Sequence, residues 1–206
     1  MTGNTENGGE RPGNRWRIAP WAVAALILLL PLIAMQFTDE VVWDVTDFAV
    51  AGALLVGVGV TFELVARKMG SIAYRVAVGV ALAAALLLVW VNLAVGLIGS
   101  EDELANLMYY GVLAVGLIGA FVARFQPRGM ARALFATALA QMLVAAIALS
   151  AGLGSPWSGP LEILLLNGFF AALFVGSALL FREAARTASV SLPPFDGLNT
   201  PTKKLK

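Results

Sequence analysis

From Tyr74 to Ile98 the chain reads YRVAVGVALAAALLLVWVNLAVGLI, 25 residues in which Arg75, near the start, is the one charge and Asn92 the one amide. A helix rises about 1.5 Å per residue and the hydrocarbon core of a bilayer is about 30 Å thick, so about 20 apolar residues cross it. This stretch is long enough to do so. Five further runs match it, giving expected spans at Ile18 to Phe37, Thr46 to Ala66, Tyr74 to Ile98, Leu104 to Arg124, Ala131 to Gly152 and Pro160 to Phe181. The whole chain of 206 residues is 59% hydrophobic and only 13% charged, about half the charge of a soluble domain. The expected fold is therefore all-α, a polytopic membrane protein built as a bundle of six transmembrane helices over residues 18–186. The flanking segments 1–17, rich in Gly and Asn, and 187–206, basic and carrying Pro193 and Pro194, read as disordered tails.

The connections between spans are eight residues or shorter, so no second domain fits between them. The first run follows basic residues, as a signal peptide would. Its apolar stretch is too long for a signal core and Ala34-Met35-Gln36 is a poor cleavage site, so it reads as a retained anchor, kinked at Pro31.

Charge orients the bundle. With six spans, all 14 basic residues fall on one side: Arg11, Arg15 and Arg17, then Arg67, Lys68 and Arg75, then Arg124, Arg128 and Arg132, then Arg182, Arg186, Lys203, Lys204 and Lys206. The positive-inside rule makes that side cytoplasmic, with both termini inside. The opposite side carries Asp39, Glu40, Asp44, Asp47, Glu101, Asp102, Glu103 and Glu162 and no basic residue. Such a rim suits hard cations. It also has a plainer explanation, because Asp47, the 101–103 acids and Glu162 begin helices whose dipoles favour negative charge. Ser100 to Glu103 reads as a capping box, and Ser158 before Pro160 as an N-cap.

No ionisable residue lies near the middle of a span. Glu63 comes nearest, at the inner interface with Arg67 one turn on as its partner. Proton-coupled mechanisms through a central titratable group are therefore disfavoured. The amides are more telling. Asn92 and Asn167 each lie seven residues, about 10 Å, beneath the outer end of a span, Asn106 lies shallower, and Gln141 is near the midplane. A buried amide in lipid needs a partner. Either these side chains hold helices together, beside stripes of Ala and Gly that let helices approach, or they line an outward-facing polar pocket. Trp43, Trp90, Trp157, Tyr109 and Tyr110 would rim that pocket, or form the usual interfacial belt.

The string Leu-Ala-Val-Gly-Leu-Ile-Gly occurs at Leu93 to Gly99 and again at Leu113 to Gly119. One copy falls at a helix end and the other mid-span, so both read as Gly-rich packing surfaces rather than a structural repeat. Met35-Gln36-Phe37-Thr38-Asp39-Glu40-Val41, with Trp43 and Asp47-Phe48 after it, resembles a segment of a family of uncharacterised bacterial membrane proteins. Trp90-Val91-Asn92-Leu93-Ala94-Val95-Gly96-Leu97-Ile98-Gly99-Ser100-Glu101-Asp102 resembles another segment of the same family. That resemblance implies a six-span protein of the bacterial inner membrane and implies no activity.

With no Cys and no His, disulfides, thiolate chemistry, the commonest metal ligand and the usual general base are all missing. No phosphate loop, nucleotide motif or nucleophile–base pair is present, so no cofactor and no enzymatic role are expected. The expected partners are the lipid bilayer, anionic headgroups at the basic face, and either a small solute or cation outside or other membrane subunits, but no nucleic acid. Two functions compete. One binds or transports a small solute or cation at Asn92, Asn106, Asn167, Trp90 and Tyr110 beneath the acidic rim. The other is a non-catalytic accessory or assembly subunit. A transporter predicts that the three asparagines open to solvent; a subunit predicts that they are packed and that small-residue stripes stay on the outside.

Overall fold

The computed structural model describes residues 15–38, 42–68, 71–100, 102–155 and 158–190; the tail expectations for 1–14 and 191–206 lie outside them. Among the described residues every regular element is helical. The helices are α1 (Arg15–Ala34), α2 (Val45–Lys68), α3 (Ile72–Ala94), α4 (Met108–Val122, entered through a 3₁₀ turn at Leu104–Leu107), α5 (Pro127–Ser150) and α6 (Pro160–Val190). Five of them are long and apolar enough to cross a membrane, within Val45–Val65, Ile72–Ala94, Leu104–Val122, Pro127–Ser150 and Pro160–Ser189. In α1 the apolar helix is the shorter stretch Ala24–Ala34. The protein is a multi-pass helical membrane protein.

The chain divides at Arg67 into two compact units. In the first, α1 meets α2 where Trp21 lies over Gly59, whose missing side chain leaves room for the indole, and Ala51 and Leu55 are buried. The start of α2 is capped reciprocally: the Asp44 amide donates to Asp47 Oδ2 and the Asp47 amide to Asp44 Oδ1, both at 2.9 Å. Two orphan N–H groups are satisfied there, as in a capping box. At the far end of α2, Arg67 pairs with Glu63 as the spacing predicts.

The second unit packs α3 to α6. Helix α5 lies against both α4 and α6, and α6 also lies against α3. Helices α4 and α5 approach closely because Gly119 faces Ala133; a Cβ at Gly119 would stand 2.6 Å from the Ala133 methyl. The Ser177 hydroxyl of α6 donates to the Ala77 carbonyl of α3 at 2.7 Å. Tyr74, Leu88, Phe170, Phe174 and Phe181 fill the interior, with the Tyr74 and Phe181 rings edge to face at 4.9 Å. Leu117, Ile118, Leu139, Leu143, Leu161 and Leu165 point outward, where a membrane supplies lipid.

Several boundaries differ from the sequence expectation. Helix α3 stops at Ala94, not Ile98, because Gly96 and Gly99 take positive φ (+73° and +70°) and turn the chain. Helix α5 starts at Pro127 rather than Ala131, since proline suits the first helical position. Helix α6 runs to Val190, so residues 187–190 are helical rather than part of a tail. The capping box expected at Ser100–Glu103 does not form: Glu103 makes no side-chain cap, and its amide donates to the Ser100 carbonyl at 3.1 Å rather than to the Ser100 hydroxyl. Ser158 does not cap α6; its hydroxyl accepts from the Gly99 amide at 3.1 Å and so ties the α5–α6 loop to the α3–α4 loop.

Candidate functional site

The amides gather at one end of the second unit, where α3 ends and α4 and α6 begin. Asn106 sits in the 3₁₀ turn and faces back into the loop after α3. Its Oδ1 accepts from the amides of Leu97 (3.1 Å) and Ile98 (3.0 Å), and its Nδ2 donates to the carbonyls of Ile98 (3.2 Å) and Ser100 (2.7 Å). A buried loop needs such a partner, because its backbone groups cannot pair along a helix. Asn92, in the last turn of α3, donates to the Asn106 carbonyl at 3.4 Å.

Three residues beyond Asn106, and so on the same helical face, Tyr109 donates its hydroxyl proton to Asn167 Oδ1 at 3.1 Å. Gln141 Nε2 of α5 donates to the same oxygen at 2.9 Å, and Asn167 Nδ2 donates to the Ile163 carbonyl one turn back at 2.8 Å. One side chain of α6 thus joins α4, α5 and α6. Asn92, Asn106 and Asn167 are 6%, 3% and 0% exposed. Two buried oxygens have no protein partner: Asn92 Oδ1 and Gln141 Oε1. An unpaired buried polar atom costs about 1–3 kcal/mol.

The structure therefore packs the three asparagines inside the second unit in two hydrogen-bonded groups, Asn92 with Asn106, and Asn167 with Tyr109 and Gln141. Tyr110, next to the buried Tyr109, points outward and takes no part, and Trp90 is half-buried on α3. Of the acidic rim, Asp44 and Asp47 bond each other's backbone, and Asp102, Glu103 and Glu162 are exposed. Asp39, Glu40, Glu101 and the aromatic Trp157 lie outside the described residues. Among the described residues no three acids come together in a way that holds a metal ion.

Sequence reasoning placed Tyr109 on the rim and left Gln141 out of the site, yet both are central. The three-residue step from Asn106 to Tyr109 was the available signal, and it separates Tyr109 from Tyr110 by a hundred degrees of helix rotation. For Gln141 the signal was its depth: an amide at mid-span has to find another polar group inside the bundle. No family model, curated protein or solved structure matches this chain.

Proposed function

We propose that this chain is a non-catalytic accessory or assembly subunit of a larger membrane complex. It is read as a six-span protein of the bacterial inner membrane with both termini in the cytoplasm. The observation that carries the reading is the burial of Asn92, Asn106 and Asn167, whose polar atoms, Asn92 Oδ1 excepted, are spent on loop and helix packing rather than presented to solvent. The outer surface of the second unit supports it. Gly168, Ala172 and Gly176 follow at four-residue steps along α6, Ala172 is exposed, and a side chain added at either glycine would touch nothing. Stripes of this kind let a neighbouring helix approach closely in a membrane.

Native mass spectrometry of the chain extracted gently from its own membrane tests the reading. A stoichiometric protein partner is the expected result, lost in Gly168→Leu/Gly176→Leu; a chain that leaves the membrane alone overturns it. Topology is tested separately on the cysteine-free background. Cysteines at Val42, Asp102 and Ser158 should react with an impermeant maleimide from outside intact cells, and those at Ser71, Gln126 and Ser189 should not.

A second reading, binding or transport of a small solute or cation, draws on the two unpartnered oxygens, Asn92 Oδ1 and Gln141 Oε1. It requires the cluster to open. Asn92→Leu and Asn167→Leu would then abolish uptake with little change in stability. In the subunit reading both substitutions destabilise the bundle instead.

A further inference from the structure

At the end of the second unit away from the amide cluster, the start of α5 and the end of α6 enclose a cleft of about 390 Å³, lined by Arg128, Ala131, Arg132, Phe135, Arg182, Ala185 and Arg186. Arg128 and Arg132 are four residues apart on α5, and Arg182 and Arg186 four apart on α6. Each pair stands one turn above the other on one helix face. Ala131 and Ala185 are buried beneath them, and their small side chains leave space between the two helices that the four arginines line.

Four cations converging on one cleft repel each other unless something negative sits among them. The described residues supply almost nothing of that kind. Glu183 pairs with Arg186 at 3.4 Å, at the edge. Among the described residues the side chains of Arg128, Arg132 and Arg182 make no ion pair and no hydrogen bond, and the first turn of α5 holds no acid. The positive-inside rule accounts for basic residues on this side of the membrane. It does not account for four of them facing one cleft, nor for all four being arginine while lysines close the chain. Arginine's planar fork matches two oxygens of a phosphate at once, whereas lysine acts as a point charge.

We propose that this cleft binds a phosphate-bearing anion, with Arg128, Arg132 and Arg182 as its ligands and Arg186 at the rim. Its level in the membrane favours the headgroup of an anionic lipid. The apolar part of α6 ends at Phe181 and the arginines begin at Arg182, where the hydrocarbon core gives way to headgroups. This site is independent of the subunit reading, since it lies on other residues at the other end of the bundle.

The test uses the full chain purified in neutral detergent. Native mass spectrometry counts phosphatidylglycerol retained against phosphatidylcholine, and thermal unfolding is followed in sodium phosphate against sodium chloride at equal ionic strength. Arg128→Gln/Arg132→Gln/Arg182→Gln is compared with Lys203→Gln/Lys204→Gln/Lys206→Gln, which removes the same charge elsewhere. The arginine variant should lose phosphatidylglycerol retention at least about tenfold, and the lysine variant less than about twofold. Retention of the lipid without a phosphate effect identifies a headgroup site. Phosphate stabilisation lost in the arginine variant identifies a soluble phosphate ligand. Equal retention of both lipids with no phosphate effect, or equal loss in the two variants, overturns the proposal. Should the triple variant lose helicity by circular dichroism, Arg132→Gln is read by the same criteria.

Discussion

Leu93 to Gly99 and Leu113 to Gly119 are the same seven residues in the same order, and they fold differently. In the first copy the helix ends after two residues, Gly96 and Gly99 turn to positive φ, and Leu97 and Ile98 are 1% and 0% exposed. In the second copy the helix continues through all seven, and the matching Leu117 and Ile118 are 61% and 62% exposed. Local propensity cannot separate them, because it is identical. The difference lies in what stands nearby. Asn106 offers an oxygen to the amides of Leu97 and Ile98 and an N–H to the Ile98 carbonyl, replacing the helical bonds that are given up. Among the described residues no side chain hydrogen-bonds the backbone of the second copy. There Gly116 and Gly119 serve helix packing against Thr137 and Ala133 instead. Glycine permits either outcome, and the neighbouring side chain selects one.

The strongest way to break this contrast is to remove the selector. Asn106→Leu leaves the amides of Leu97 and Ile98 and the Ile98 carbonyl without their partner, while the Ser100 carbonyl keeps the Glu103 amide, and should cost about 4 kcal/mol at 1–3 kcal/mol per buried group with some rescue by water. Hydrogen exchange at the Leu97 and Ile98 amides should accelerate, while the amides of Leu117 and Ile118 stay protected. A smaller effect is expected from Gly96→Ala. A Cβ there would stand 2.5 Å from the Ser100 carbonyl oxygen and 2.7 Å from Asn106 Nδ2, at a φ that alanine avoids. A loss of about 3 kcal/mol in reversible unfolding is expected, the sum of backbone strain and a displaced clamp. Gly116→Ala, at the equivalent position of the helical copy, should change stability by under about 1 kcal/mol, since helix propensity offsets a tight 3.1 Å approach to Thr137 Oγ1.

Leu97→Ala and Leu117→Ala sharpen the comparison at one side-chain type. The buried site should lose about 2–3 kcal/mol and the lipid-facing site less than about 1 kcal/mol. A turn where glycine is absent should give a gain rather than a loss. Arg124 and Phe125 end α4 at φ +49° and +59°, and the Phe125 carbonyl is held by the Tyr74 hydroxyl at 2.6 Å. Arg124→Gly should relieve strain and raise stability by about 1 kcal/mol, seen as a higher midpoint of thermal unfolding. A fall in the midpoint would show that the Arg124 side chain contributes more than its backbone costs.

The long apolar runs were legible because hydropathy adds up residue by residue and needs no partner. α2, α4 and α6 begin within about four residues of where that arithmetic places them, and the Glu63–Arg67 pair follows from a four-residue step on one helix. The end of α3 was not legible, since its last four expected residues are as apolar as those before them and their fate rests on Asn106. Within the site, the three asparagines were identifiable as amides in need of partners, but not which partners. Tyr109 and Asn167 are 58 positions apart, and Gln141 and Asn167 are 26 apart. Ser158 was read as a cap because the expected bond was local; it bonds Gly99 instead, 59 positions away.

Membrane character and the run of long apolar helices follow from composition and short-range spacing, quantities that each residue carries wherever it sits. The burial of the amide cluster, the two fates of one heptapeptide and the meeting of four arginines in a cleft required the packed chain. Hydrogen bonds and charge convergence depend on distances of a few ångströms between residues far apart in sequence, and those distances exist only once the helices are side by side.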